Sequence, residues 1–208
     1  MFAVTPAFRN PCEFLVAPCQ QLALENQHYD RQQQDRHGES GRLLHLARLG
    51  LTPKDVDVIF IGHLHFDHAG GLKELRRCGC GAEIHLQRDE WNAACSGQDS
   101  AVFDDDLLDD EARALPFHLK EGEYSVAPGV HAIATPGHTA GHMSMLIELP
   151  QGQPVLLAGD AADLQENIDH EIAPGTLWQG REAQAVDSIR KLKALARETG
   201  ARLWPNHD

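Results

Sequence analysis

The segment His63-Leu64-His65-Phe66-Asp67-His68-Ala69-Gly70-Gly71 constrains this chain more than any other. Three imidazoles and one carboxylate fall within six residues. The apolar run Val56-Asp57-Val58-Ile59-Phe60-Ile61 precedes it and reads as a buried strand. The cluster therefore stands where a strand ends and the chain turns, at the lip of a sheet. Residues two apart in extended backbone share a face, so His63, His65 and Asp67 can point one way. His68 can swing in as the chain bends at Ala69-Gly70-Gly71. Imidazole with carboxylate is the donor set for zinc or a similar borderline divalent ion. The bland alternative is a polar loop of separately satisfied histidines, and four donors in so short a space disfavour it.

Composition sets the frame for that cluster. A chain of 208 residues forms one domain with a real core. Its hydrophobic share of 42% and charged share of 24% are ordinary for a soluble globular chain. A formal net charge of -13 repels phosphate backbones, which argues against nucleic acid as a partner. Five cysteines make an odd number without framework spacing, and Cys78-Gly79-Cys80 reads as solvated or partly buried thiols. A reducing cytoplasm is the expected compartment. No apolar run approaches the ~20 residues that span a bilayer, and the start lacks a basic region followed by an apolar core. Neither a membrane segment nor a secretory signal is expected.

Within residues 1–40, Phe14-Leu15-Val16-Ala17 reads as a strand fragment and Gln20 to Ser40 is polar and aperiodic, so an irregular or diverged arm is expected there. Leu43, Leu44, Leu46, Ala47 and Leu49 fit a short amphipathic helix closed by Gly50. Thr52-Pro53 reads as an N-cap followed by proline at the first helical position. After the cluster come helical turns from Leu72 to Arg77, a strand from Glu83 to Leu86 and a helix from Arg88 to Cys95. Residues 96–116 are rich in aspartate but lack the spacing of a calcium loop. A solvated insertion over the site is expected. Three strands follow, Val130 to Ala134, Met143 to Leu149 and Pro154 to Ala158, the last two forming a hairpin. Ala183 to Glu198 is the strongest helix, with Ala185, Ile189, Leu192, Leu195 and Ala196 on one stripe. Ala201 to Trp204 is a last short strand.

Three further polar residues stand where strands end. His138 lies in Thr135-Pro136-Gly137-His138-Thr139-Ala140-Gly141-His142, Asp160 follows Leu156-Leu157-Ala158-Gly159, and His207 follows Arg202-Leu203-Trp204. Ligands of layered α/β folds gather at strand ends. One such residue would be unremarkable; three in the same context beside the first cluster point to one site.

The set H-x-H-x-D-H, G-H-T-x-G-H, G-D and a late histidine resembles the metallo-β-lactamase superfamily of two-metal hydrolases, over about residues 41–208. The resemblance implies an α/β fold, the αβ/βα four-layer sandwich, with N-terminal strands missing or diverged. It implies that His63, His65 and His138 hold one metal, that Asp67, His68 and His207 hold the second, and that Asp160 bridges both. His142 falls outside the ligand set, and a structural place behind the ligands is expected for it. Two such ions lie about 3.5–4 Å apart and share a water whose pKa falls toward neutrality. The resulting hydroxide attacks a carbonyl, and Asp67 can also accept or pass a proton. Zinc is expected, with manganese or iron compatible.

Within that superfamily, the His63–Gly71 segment, Gly159-Asp160-Ala161-Ala162 and Trp204-Pro205-Asn206-His207-Asp208 are similar to N-acyl homoserine lactonases. The resemblance implies ring opening of an acylated homoserine lactone, which silences quorum signals, with Asp67 and Asp160 as catalytic residues. Where that family usually has a tyrosine contacting the lactone, this chain has Asp163, which cannot donate a phenolic hydrogen bond. The family's Leu-Ile-Asp-Thr-Gly-like opening is absent. Two alternatives stand beside the lactonase: a hydrolase of the same fold acting on thioesters, esters or other lactones, and a metal-binding protein without turnover. The expected partner is a small molecule, with no nucleic acid and no membrane; a homodimer is admitted.

Overall fold

The computed structural model describes residues 2–4, 46–97 and 115–208. Nine strands are arranged in two sheets among these residues. The first holds β1 (Phe2–Val4), β2 (Val58–Phe60), β3 (Glu83–Gln87) and β4 (Phe117–Lys120), in that order. β1 runs antiparallel to β2, while β2, β3 and β4 are mutually parallel. The second sheet holds β5 (Tyr124–Ala127), β6 (Val130–Ala134), β7 (Met143–Ile147), β8 (Val155–Leu157) and β9 (Arg202–Trp204). It is antiparallel except for its last pair, β8 and β9.

Alternation along each strand assigns the layers. Ile59 of β2 and Ile84 and Leu86 of β3 pack with Leu64, Leu72, Leu75, Ala93 and Ala94. That core sits under α1 (Phe66–Ala69), α2 (Leu72–Arg77) and α3 (Arg88–Cys95). Phe60, the next residue along β2, faces the other way and meets Val130, Met143, Met145 and Ile147 of the second sheet. Beyond that sheet, Leu146 and Leu156 pack on Ile168, Ile189 and Leu192. These belong to α4 (Gln165–His170) and α5 (Glu182–Thr199). Helices, sheet, sheet and helices make four layers, the α/β arrangement that the resemblance implies. Among the described residues, no helix is long and apolar enough to cross a membrane.

The expected elements are present with trimmed ends. The strand after Val56 is regular only over Val58–Phe60, although Ile61 N–H still donates to the His85 carbonyl at 3.0 Å. The β7–β8 hairpin forms with Met145 opposite Leu157. Phe2–Val4 pairs with β2, so three residues of the stretch expected to be irregular are a strand. β4, β5 and α4 were not expected. The expected strand fragment at 14–17, the polar stretch at 20–40, residues 41–45 of the expected first helix and 98–114 of the acidic stretch lie outside the described residues.

Candidate metal centre

The chain delivers its donors from the ends of both sheets. β2 ends at Phe60, and Gly62 brings the backbone against the start of β7, where Met143 N–H donates to the Gly62 carbonyl at 2.9 Å. A Cβ on Gly62 would lie 2.9 Å from the Met143 carbonyl oxygen, so glycine permits this approach. His63 follows at once. His65 is the N-cap of α1, and its carbonyl accepts from His68 and Ala69 N–H, both at 3.0 Å. This turn brings Asp67 and His68 toward His63; the bend at His68 is the expected one, whereas Asp67 arrives on a helical turn and not on the extended backbone expected for it.

His138 comes from the loop between β6 and β7. Thr135 N–H donates to the His142 carbonyl at 3.0 Å and closes this loop at its neck. Gly137 presses the loop onto the start of α5, where its Cβ would fall 2.5 Å from the Ala185 backbone, at a φ of 135°. Asp160 sits in a tight turn after β8, and His207 follows β9.

All seven predicted donors converge. His63, His65, His138 and Asp160 form one group, and Asp67, His68, Asp160 and His207 form another, with the donor atoms of each within 4.8 Å. Asp160 belongs to both. Its Oδ2 lies 3.6 Å from His63 Nε2, 3.4 Å from His138 Nε2 and 3.2 Å from His68 Nε2. Its Oδ1 lies 3.5 Å from His207 Nε2. The first group is buried, with His63 at 1% and Asp160 at 4% exposure. The second opens to solvent, where the Asp67 and His207 side chains are 43% and 41% exposed.

The electrostatics fit a cation. His63 Nε2 and His68 Nε2 are buried without a hydrogen bond, both aimed at the Asp160 carboxylate. Orphaned imidazole nitrogens converging on one carboxylate are a donor set that two divalent ions could fill. Burial pushes His63 well below the ordinary imidazole range and His65 down to about 4, so both favour the neutral, ligating form. Burial also opposes charge on Asp160. The His207 and His68 rings at its two oxygens outweigh that and hold the carboxyl far below the usual range. His68 resists charge through burial too, yet its contacts with Asp160 and Asp67 raise it to about 9.

Outside the donors lies a supporting layer. The His138 Nδ1–H donates to the Thr176 carbonyl at 2.9 Å, which turns the Nε2 lone pair inward. Asn206 Nδ2 donates to Asp160 Oδ1 at 2.5 Å. His142, expected to be structural, is linked to the Asp160 turn. Asp160 N–H donates to His142 Nε2 at 3.0 Å, so the ring carries its proton on Nδ1. That proton is donated to Thr135 Oγ1 at 2.9 Å, the Thr135 hydroxyl donates to Ser144 Oγ at 2.8 Å, and Ser144 donates to the Ala158 carbonyl at 2.6 Å. The chain of donors thus begins and ends on the turn that carries Asp160. Gly159 at φ 58° makes room for it, since a Cβ there would come within 2.9 Å of His142 Nε2. Sequence reasoning missed the Thr135 and Ser144 links and the buried Glu90, because only the folded chain brings their partners near.

Comparison with known proteins agrees with this geometry. The model of the metallo-beta-lactamase superfamily matches residues 34–207. An N-acyl homoserine lactonase of a Bacillus species is 37% identical over 164 residues, covering 78% of this chain and 60% of the relative. Another from Bacillus thuringiensis is 34% identical with the same coverage. The chain thus spans about three fifths of the length of these curated relatives. A solved N-acyl homoserine lactone hydrolase with N-hexanoyl-L-homoserine bound at its catalytic metal centre superimposes with a TM-score of 0.66 at 33% identity, covering 80% of this chain and 61% of that one. A related quorum-quenching hydrolase gives a TM-score of 0.67 at 33% identity, over 79% and 62%. On that coverage and identity, the chain belongs to the metallo-beta-lactamase superfamily.

Proposed function

We propose that residues 41–208 form the catalytic domain of a dinuclear metal hydrolase that opens N-acyl homoserine lactones. The observation that carries this is the Asp160 carboxylate shared by two donor groups. Kinship with lactonases supplies the substrate class. His63, His65 and His138 would hold the buried ion, and Asp67, His68 and His207 the exposed one, with Asp160 between them. Imidazole and carboxylate donors suit zinc best. A bound pair of such ions supplies a water of lowered pKa and a positive centre facing the ester oxygen.

The chain's own groups do the rest. Asn206, at Oδ1, and the His142 ring, accepting from the Asp160 backbone N–H, fix the carboxylate so that Oδ2 faces His63, His138 and His68 while Oδ1 faces His207. Asp67 is half-exposed on the substrate side. Burial opposes its charge, but contact with His68 holds its carboxyl below the ordinary range, so it is ionised and free of a proton at neutral pH. Water adds across the ring ester: the acyl C–O bond breaks, the carbonyl carbon becomes a carboxylate, and the departing alkoxide takes up a proton. Asp67 is placed to accept a proton from the water and to return it to that alkoxide. Free thiols at Cys78, Cys80 and Cys95 suit a reducing compartment, the cytoplasm.

Each turnover releases a proton at neutral pH, so acidification reports the reaction. Zinc-loaded protein should acidify solutions of short- and long-chain acyl homoserine lactones. Activity confined to a parallel thioester panel would replace the lactonase with another hydrolase, and inactivity on every ester with metal fully bound would leave a binding protein.

A further inference from the structure

Glu90 is the third residue of α3 and is 0% exposed. A glutamate at that position ordinarily reaches back to cap its own helix. Here no side chain caps the start of α3, and the carboxylate reaches away from it. Its Oε1 accepts from Leu64 N–H at 2.9 Å, and its Oε2 accepts from Gly141 N–H at 3.1 Å. Leu64 lies between His63 and His65. Gly141 lies in the His138 loop, beside His142. The two amides therefore belong to donor loops that leave different sheets, and one carboxylate spans them.

We propose that Glu90 is a positioning residue of the metal centre, which sets the separation of the His63–His65 segment from the His138 loop. This rests on the assignment of those three histidines to one ion. The fit at Gly141 supports it: a Cβ there would come within 2.2 Å of the Glu90 backbone nitrogen, so this loop is seated directly on the start of α3. The choice of side chain supports it too. Burial pushes the Glu90 carboxyl up, against the pull of the Thr139 side chain and the two amides, so a costly polar group is kept where an apolar one would cost less. An apolar group could not bridge two outward-facing N–H groups from separate loops.

The test compares wild type, Glu90→Gln and Glu90→Asp, each stripped and then reloaded. Glutamine keeps the size but sets an NH2 group against one of the amides; aspartate keeps the charge but is too short to reach both. Three readouts are taken: the ligand-field absorption of the cobalt(II) form at equal loading, zinc affinity by competition with a chromophoric chelator, and melting of the metal-free protein by circular dichroism. Both variants are expected to bind zinc about 10–100-fold more weakly and to give an altered cobalt spectrum. A cobalt spectrum and zinc affinity unchanged from wild type in folded variants, with only the melting temperature lowered, would overturn the proposal. If Glu90→Gln does not fold, Glu90→Asp decides by the same criterion. If neither folds, hydrogen exchange on the metal-free wild type decides: fast exchange at Leu64 or Gly141 overturns the proposal, and protection of both supports it. Wild type that takes up no cobalt would instead refute the ligand assignment, a failure distinct from this one.

Discussion

Asp160 is the residue on which most of the chemistry converges, because its carboxylate belongs to both groups of donors. Replacing it with asparagine removes the shared charge while keeping the shape. Replacing His63 with alanine removes a buried donor whose Nε2 makes no hydrogen bond. Both Asp160→Asn and His63→Ala should lower lactone hydrolysis by about a thousandfold or more, the several kcal/mol a metal centre contributes to a hydrolytic barrier. The far-UV spectrum should be largely kept, and activity within a few-fold of wild type would refute the site. A pH dependence follows from the same residues. Burial lowers His65 to about 4 and His142 to about 3 in the folded protein, and lowers His63 as well. A histidine whose folded pKa is depressed contributes stability that is present above about 6.5 and is lost as pH falls through the folded value. His68, raised to about 9, acts in the opposite sense: its contribution is full below 6.5 and is lost as pH rises through 9. The depressed set is larger, so in chelator the urea midpoint should fall between pH 7 and pH 5; a higher midpoint at pH 5 would reverse the sign. Contact with Asp160 also favours the protonated ring of His68, against its burial, and of His207 in the metal-free protein. Zinc uptake at pH 7 should therefore release protons from those rings, read by calorimetry in buffers of different ionisation enthalpy, and uptake without proton release would contradict this.

At the scale of elements, the short stretches between strands do more than connect. Gly137 holds the His138 loop against α5 at a positive φ, and a Cβ there would overlap the Ala185 backbone. Gly137→Ala should cost about 1–3 kcal/mol or more, from overpacking and backbone strain together, and lower the melting temperature accordingly. It should also reduce metal affinity, because the loop cannot retreat without carrying His138; a melting point and zinc affinity equal to wild type would contradict this. Legibility in the sequence follows the same division. The His63–His68 cluster is legible because its donors are neighbours in the chain. His138, Asp160 and His207 are legible because each follows an apolar strand. α5 is legible because its stripe runs long enough to establish a period. β4 and β5 are not, since Phe117-His118-Leu119-Lys120 and Tyr124-Ser125-Val126-Ala127 are short and mixed, and their strand state comes from pairing with β3 and β6. Nor is Glu90, whose partners stand 26 and 51 residues away in the chain. Its sequence context reads as an ordinary acidic first turn.

Over the whole molecule, two sheets meet face to face and the site lies where both end. β2 brings Phe60 into the layer between the sheets and His63 to the edge, three residues apart. The core and the centre are thus continuous along one backbone, which explains how so exposed a group as Asp67 is aligned with so buried a one as His63. The most direct measurement is anomalous diffraction at the zinc edge from crystals of the zinc-loaded protein. Two peaks are expected on either side of Asp160, one among His63, His65 and His138 and the other among Asp67, His68 and His207. A single peak away from Asp160, or none at full zinc loading, is incompatible with a centre built on that shared carboxylate.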